Sequence, residues 1–223
     1  MFLAHAEGGK RGRDADGRAQ FQYPVAESLV ALALETEPCC DSRQTLLDCA
    51  PFFHPLADGI AVEGMRLIHD FLPRAVADGS DLEARSHMLI ASSMGATAFQ
   101  KGLGAMHSLS HPCGANLDTH HGLTNAVVMP YVLAWNRRAI EQRLARVAAW
   151  LGLKRQSYQG FFDWILELRA TIGIPSTLAA LGVREEHAVA FAPQAFADPS
   201  TGGNPLPMTV ADFEQLYLNC IRS

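Results

Sequence analysis

From Pro55 to the C-terminus apolar residues recur at three- and four-residue intervals, and the two-residue alternation of a strand is nearly absent. A chain with only this periodicity buries helix stripes against other helices, so the expected fold class is all-α, a multi-helix bundle. Ile60, Met65, Leu67, Ile68 and Leu72 mark a first helix, which Pro73 is predicted to end or kink. Asp78-Gly79-Ser80-Asp81 supplies side-chain acceptors for a helix start. The next helix is predicted to run unbroken through LEARSHMLIASSMGATAFQKGLGAMHSLS. Its Ala, Gly and Ser let neighbours approach closely, so it is expected at the centre. Pro112 and Gly114 predict a break, with CGANLDTH as a loop. Further helices are predicted from His121 to Trp135, Ile140 to Leu151 and Phe161 to Ile172, with shorter ones at Thr177 to Leu181 and Glu185 to Phe191. DPSTGGNPLP reads as a structural turn. Thr209, with Asp212 three residues on, caps a last helix from Val210 to Ile221.

The chain changes character near Pro51. Residues 1–50 form a divergent or poorly ordered segment: 1–20 are polar and Gly-rich, 25–35 (VAESLVALALE) have helical composition, and Cys39 to Cys49 read as a loop entering a short helix. Residues 51–223 form the helical domain. With 48% apolar and 18% charged residues the chain has material for a sizeable core. A net charge of −5 offers no basic surplus for a phosphate backbone, so nucleic acid is not an expected partner. No apolar run reaches the ~18 residues that would cross a bilayer, and Met1 to Phe21 lacks the apolar core of a secretory leader. Five cysteines, Cys39, Cys40, Cys49, Cys113 and Cys220, fit neither a zinc ribbon nor a disulfide framework, which points to a reducing cytoplasm.

The chemistry concentrates in GLGAMHSLSHPCGANLDTHHGL, with His107, His111, His120 and His121. His107 and His111 are four apart and share one helical face. A turn after Pro112 can return the chain to that face. Neutral imidazole is the commonest protein ligand for a first-row divalent metal. A lone helical His is more often structural, but an i,i+4 pair followed by a further His past a Pro/Gly break favours a metal. His120 and His121 point in different directions, and spacing leaves open which of them turns inward.

AFQKGLGAMHSLSHPCGANLDTHHGLTNAVVMPYV closely resembles the signature of the iron-containing alcohol dehydrogenases. That signature has one His, a second four residues later followed by Pro-x-Gly-Ala, and a third ten residues on in His-Gly; Asn125, Ala126 and Pro130 also match. The similarity extends through HPLADGIAVEGMRLIHDFLPRAVADGSDLEARSHMLIAS, GIPSTLAALGV and DPSTGGNPLPMTVADF, about residues 50–221. The resemblance implies that His107 and His121 ligate a catalytic iron(II) or zinc. It implies that His111 lies beside metal and nicotinamide and handles the proton of the substrate hydroxyl. It also implies hydride transfer between a small alcohol or aldehyde and NAD(P).

Two departures qualify this. The family carries a nucleotide-binding half ahead of the matching region, whereas here only residues 1–49 precede it, and Gly8-Gly9 lacks the strand and helix of a phosphate loop. The family's other two ligands, an Asp and a His four residues later, fall on Cys39 and Arg43, and a guanidinium cannot ligate. Cys39, Asp41, Asp48 and Asp58 are the substitutes within reach in sequence; Asp58 matches a family residue that does not ligate. The abrupt loss and recovery of similarity around PCCDSRQTLLD suggests a truncated or disrupted reading frame. The expectation is therefore a dehydrogenase-like protein lacking its dinucleotide domain, inactive by itself. The alternatives are a non-catalytic helical remnant or an interaction module pairing with an intact paralogue; the protein partner expected is a second copy, as a homo-oligomer, or that paralogue. Glu83 with His87 reads as an exposed or packing pair, Cys113 as a buried filler, and Trp135, Trp150 and Trp164 as core or subunit contacts.

Overall fold

Helix α1, Pro55–Ala77, places Ala57, Ala61, Met65, Ile68, Leu72 and Ala75 on one buried stripe at three- and four-residue intervals. The computed structural model describes residues 55–99 and 102–222, and among these the elements are helices and 3-10 turns with no strand. The all-α expectation therefore holds for the described residues. The readings made on residues 1–50 lie outside them.

Pro73 does not end α1, which continues to Ala77. Helix α2, Leu82–Ala98, begins where predicted: the Asp81 carboxylate accepts from the Ala84 N–H at 2.9 Å. Arg74 on α1 bonds both Asp81 and Glu83, which ties the hairpin. The long central helix expected here is in fact two. Gly102 adopts φ 104°, a conformation that side chains disfavour, and the helix restarts as α3, Ala105–Leu117. Central position falls to that second half. α2 packs chiefly on α1 and leaves Leu82, Leu89 and Ile90 exposed, whereas α3 buries every residue from Ala105 to Ser110.

Helix α3 also runs through Pro112 rather than breaking there, so CGAN is helical and not loop. Proline inside a helix withdraws one N–H, here the donor to the Ser108 carbonyl. The stop comes at Asp118, left-handed at φ 54°, whose N–H closes on the Gly114 carbonyl. Helix α4, His121–Trp150, merges two predicted helices. Its 30 residues extend ~45 Å. The joining residues, Asn136-Arg137-Arg138-Ala139, contain no breaker. Helix α5, Tyr158–Thr171, is capped by Ser157 and followed by a 3-10 turn, Leu178–Leu181. Helix α6, Glu185–Ala197, outruns its predicted end at Phe191. DPSTGG forms a second 3-10 turn, Pro199–Gly203. In α7, Val210–Arg222, the predicted box is present: Thr209 N–H donates to the Asp212 carboxylate at 2.8 Å, and Asp212 N–H donates to the Thr209 hydroxyl at 3.3 Å. Trp164 is buried and Trp135 half-buried, but Trp150 is 70% exposed and no core residue.

The core lies around α3, which α4, α6 and the second 3-10 turn cover. Gly203 meets its start so closely that a Cβ would overlap the Leu103 carbonyl. Asn204 then joins three elements. Its carbonyl accepts from Ala105 N–H at 3.3 Å and from the Asn136 amide at 2.8 Å, while its own amide donates to Asn136 at 3.0 Å and to the Leu206 carbonyl at 2.7 Å. Asn136 is fully buried. Replacing Asn204 by Ala strands these donors and acceptors, each worth ~1–3 kcal/mol when buried unpaired. Asn204→Ala is therefore expected to destabilise the fold by at least about 2 kcal/mol in urea unfolding.

Candidate metal centre

Three of the four clustered histidines converge. His107 and His111 lie on α3, and the left-handed stop at Asp118 folds the start of α4 back so that His121 faces them. Ring centres are 5.3 Å apart for His107 and His121, 5.2 Å for His111 and His121, and 5.9 Å for His107 and His111. His120 is drawn away from the cluster, because its side chain caps α4 by accepting the Leu123 N–H. That settles which of the adjacent pair turns inward.

The three rings are held differently. His107 is 2% exposed, and its Nδ1 is buried without a hydrogen-bond partner. Burial, with His121 and His111 as close neighbours, lowers its pKa to about 3. His121 is bonded at both nitrogens. The Asn125 amide lies 3.1 Å from Nε2, and the Ser110 hydroxyl lies 3.2 Å from Nδ1. An amide nitrogen only donates, so Nε2 accepts and Nδ1 carries the proton. Nδ1–H donates to Ser110, which donates to the His107 carbonyl at 3.1 Å. Burial, then proximity to His111, lowers the His121 pKa to about 4. His111 is the outermost ring, 42% exposed, and its Nδ1 meets the Asp198 carboxylate at 2.7 Å. Burial acts to raise the Asp198 pKa, but the bonds from His111 and Ser200 outweigh it and hold the group below the usual carboxylate range.

Two neutral imidazoles a few ångströms apart suit a divalent cation, since a metal takes unprotonated nitrogen. Two imidazoles on one tetrahedral ion have ring centres about 5 Å apart, close to the spacing of His107 and His121. The orphaned Nδ1 of His107 fits a ring that lacks a partner in the metal-free chain. At His121 the Nε2 lone pair is engaged by Asn125, so ligation through that atom requires the amide to turn away. The Asn125 carbonyl oxygen is itself buried and unpartnered, so no bond on that side holds the amide in place. Among the described residues no group of three or more His, Cys, Asp or Glu is placed to hold an ion. Two imidazoles alone fall short of a full coordination shell. The substitute Asp58 is ion-paired with Arg143 at 2.9 Å, whereas Cys39, Asp41, Arg43 and Asp48 lie outside the described residues.

The other residues singled out in the sequence have separate roles. Cys113 is a filler: fully buried, bonded to the Leu109 carbonyl, its thiol pushed up to about 12 by burial. Glu83 pairs with Arg74, and His87 stacks on Phe71 at 4.0 Å. Sequence reasoning missed Asp198, Ser110 and the part played by Asn125. DPSTGGNP carries the signal of a turn and none of a histidine partner 87 residues away.

The depressed imidazoles give a sign for pH dependence. Above 6.5 both rings are neutral whether folded or unfolded, so stability is fully present. As pH falls through 6.5 the unfolded chain takes up protons that the fold refuses until about 4 at His121 and about 3 at His107. The metal-free protein is expected to lose stability between 6.5 and about 3, and His107→Gln to flatten that decline, in unfolding curves recorded across this range.

Comparison with known proteins places the chain in a family. Residues 50–221 match the sequence profile of the Fe-containing alcohol dehydrogenase family, C-terminal part. The NAD-dependent methanol dehydrogenase of Bacillus methanolicus is 38% identical over 177 residues, 75% of this chain and 46% of that protein. The 4-hydroxybutyrate dehydrogenase of Cupriavidus necator is 37% identical over 176 residues, 75% of this chain and 46% of that protein. A crystal structure of 1,3-propanediol oxidoreductase superimposes with a TM-score of 0.78 at 26% identity, covering 92% of this chain and 51% of that one. The chain spans about half the length of the relatives it matches. On its sequence and its helical architecture, this chain belongs to the Fe-containing alcohol dehydrogenase family and corresponds to the family's C-terminal domain.

Proposed function

We propose that this chain carries the metal-binding and proton-handling half of an NAD(P)-linked alcohol or aldehyde oxidoreductase. His107 and His121 are the ligands in this reading, to iron(II) or zinc, and His111 sits beside the reacting hydroxyl. The observation that carries it is the convergence of the three signature imidazoles, with two of them kept neutral by burial. Bound there, a divalent ion supplies Lewis acidity that favours the alkoxide form of an alcohol. The protein's own groups do the rest. His107 and His121 present unprotonated nitrogen, the buried walls of α3 exclude water behind the ligands, and His111, the exposed ring, holds or passes the hydroxyl proton. Relatives named for methanol, 4-hydroxybutyrate and 1,3-propanediol support a small alcohol or the matching aldehyde as substrate.

The described residues contain no strand and hence no sheet on which a dinucleotide could lie. In this reading NAD(P) lies on a nucleotide-binding domain that works with this one and is outside the described residues. Unpaired, buried Cys113 and Cys220 fit a reducing compartment such as the cytoplasm. No helix among the described residues is long and apolar enough to cross a membrane.

Zinc or cobalt(II) titrated into the metal-free chain is expected to bind near one equivalent. His107→Ala and His121→Ala are each expected to weaken binding by more than about tenfold, while Asp58→Asn leaves it unchanged. Retention of affinity in both His variants would overturn the ligand assignment and favour a non-catalytic helical domain. NAD(P)H fluorescence is expected to stay unchanged on adding this chain alone, and turnover of short alcohols to be absent without a nucleotide-binding partner.

A further inference from the structure

We propose that Asp198 is the positioning residue of this site: it fixes the neutral His111 ring as the tautomer with its proton on Nδ1, which leaves Nε2 as the bare, proton-accepting nitrogen. The inference rests on the reading of His111 as the group that handles the hydroxyl proton, and it adds the residue that sets which nitrogen does so.

The geometry assigns the proton. A carboxylate has only acceptors, so the 2.7 Å contact between His111 Nδ1 and Asp198 Oδ2 requires a donating Nδ1–H. The carboxylate cannot swing to offer anything else. Its other oxygen, Oδ1, accepts the Ser200 N–H at 2.8 Å at the start of the second 3-10 turn. That turn is fastened to α3: the Thr201 hydroxyl bridges Ser108 at 2.8 Å and the Ala195 carbonyl at 2.7 Å, and Gly203 abuts Leu103. Asp198 therefore sits on a segment locked to the same helix that carries His111.

The three rings also differ in what they need. His107 is immobilised by burial, and His121 by bonds at both nitrogens. His111 is 42% exposed, and a half-exposed imidazole is otherwise free to rotate and to exchange tautomers. Among the three, His111 is the ring whose Nδ1 meets a carboxylate, and Asp198 is only 13% exposed.

Asn at this position separates a tautomeric role from a merely structural one. Its single oxygen is claimed by the Ser200 N–H, so the amide presents donors to His111 Nδ1 and favours the opposite tautomer. The experiment uses the full chain labelled with nitrogen-15. Long-range proton–nitrogen correlations of the imidazoles are recorded at alkaline pH, with the His111 signals identified by their loss in His111→Gln. Wild type is expected to show His111 with a protonated Nδ1 and a bare Nε2. Asp198→Asn is expected to invert that pattern, and Asp198→Ala to give a mixture. A wild-type His111 protonated on Nε2, or an unchanged pattern in a folded Asp198→Asn, overturns the proposal. Should Asp198→Asn fail to fold, the wild-type spectrum decides by itself. Zinc uptake by the same wild-type sample reports separately on His107 and His121, so failure of the metal reading is distinguished from failure of this one.

Discussion

Helix α3 is enclosed on nearly every side, and that enclosure governs the rest. A buried helix with polar side chains must find partners for them or keep them uncharged, because no water is available to do either. Ser108 and Ser110 turn their hydroxyls onto the helix's own carbonyls, at Gly104 and His107. The Tyr217 hydroxyl, fully buried on α7, reaches the Leu109 carbonyl at 2.7 Å. His107 has no such outlet and stays neutral.

The same enclosure gives the centre its chemical character. With their pKa values lowered by burial to about 3 and about 4, His107 and His121 offer unprotonated nitrogen at neutral pH. Position relative to the surface then grades the three rings. The innermost is fixed by packing, the next by a hydroxyl and an amide, and the outermost by a carboxylate whose two oxygens are both engaged. One short stretch of sequence thereby provides donors of unlike mobility within a single cluster.

How much of this was legible in the sequence follows from which forces are local. Helix type, the Asp81 and Thr209 caps and the approach of His107 to His121 were readable, because periodicity, capping and a return after a turn depend on neighbours in the chain. The boundaries were not. Gly102 cut a helix that composition made continuous, Pro112 failed to cut one that it was expected to end, and Asn136-Arg137-Arg138 carried α4 across an expected gap. Propensity alone did not decide these boundaries: a glycine ended one helix, a proline inside another did not, and the residues joining α4 contain no breaker. The histidine motif was visible, but not its support. Asp198 looked like the start of a turn, which it is, and only the docking of that turn on α3 gives its carboxylate a second role. Trp150 shows the limit of treating a large apolar residue as core: helical spacing places it on α4, and nothing in the described chain covers it.

The contacts that complete the centre join distant parts of the chain. His111 and Asp198 are 87 residues apart, Ser108 and Thr201 93, Ala105 and Asn204 99, and Leu109 and Tyr217 108. Every imidazole of the centre lies between His107 and His121, yet the carboxylate that holds His111 comes 87 residues after it. Contacts of such sequence separation raise the entropic cost of closure and slow folding in general. A chain cut before Asp198 would keep all three rings and lose the carboxylate that holds His111. The site is thus held by contacts across the whole described chain as much as by the short motif that names it.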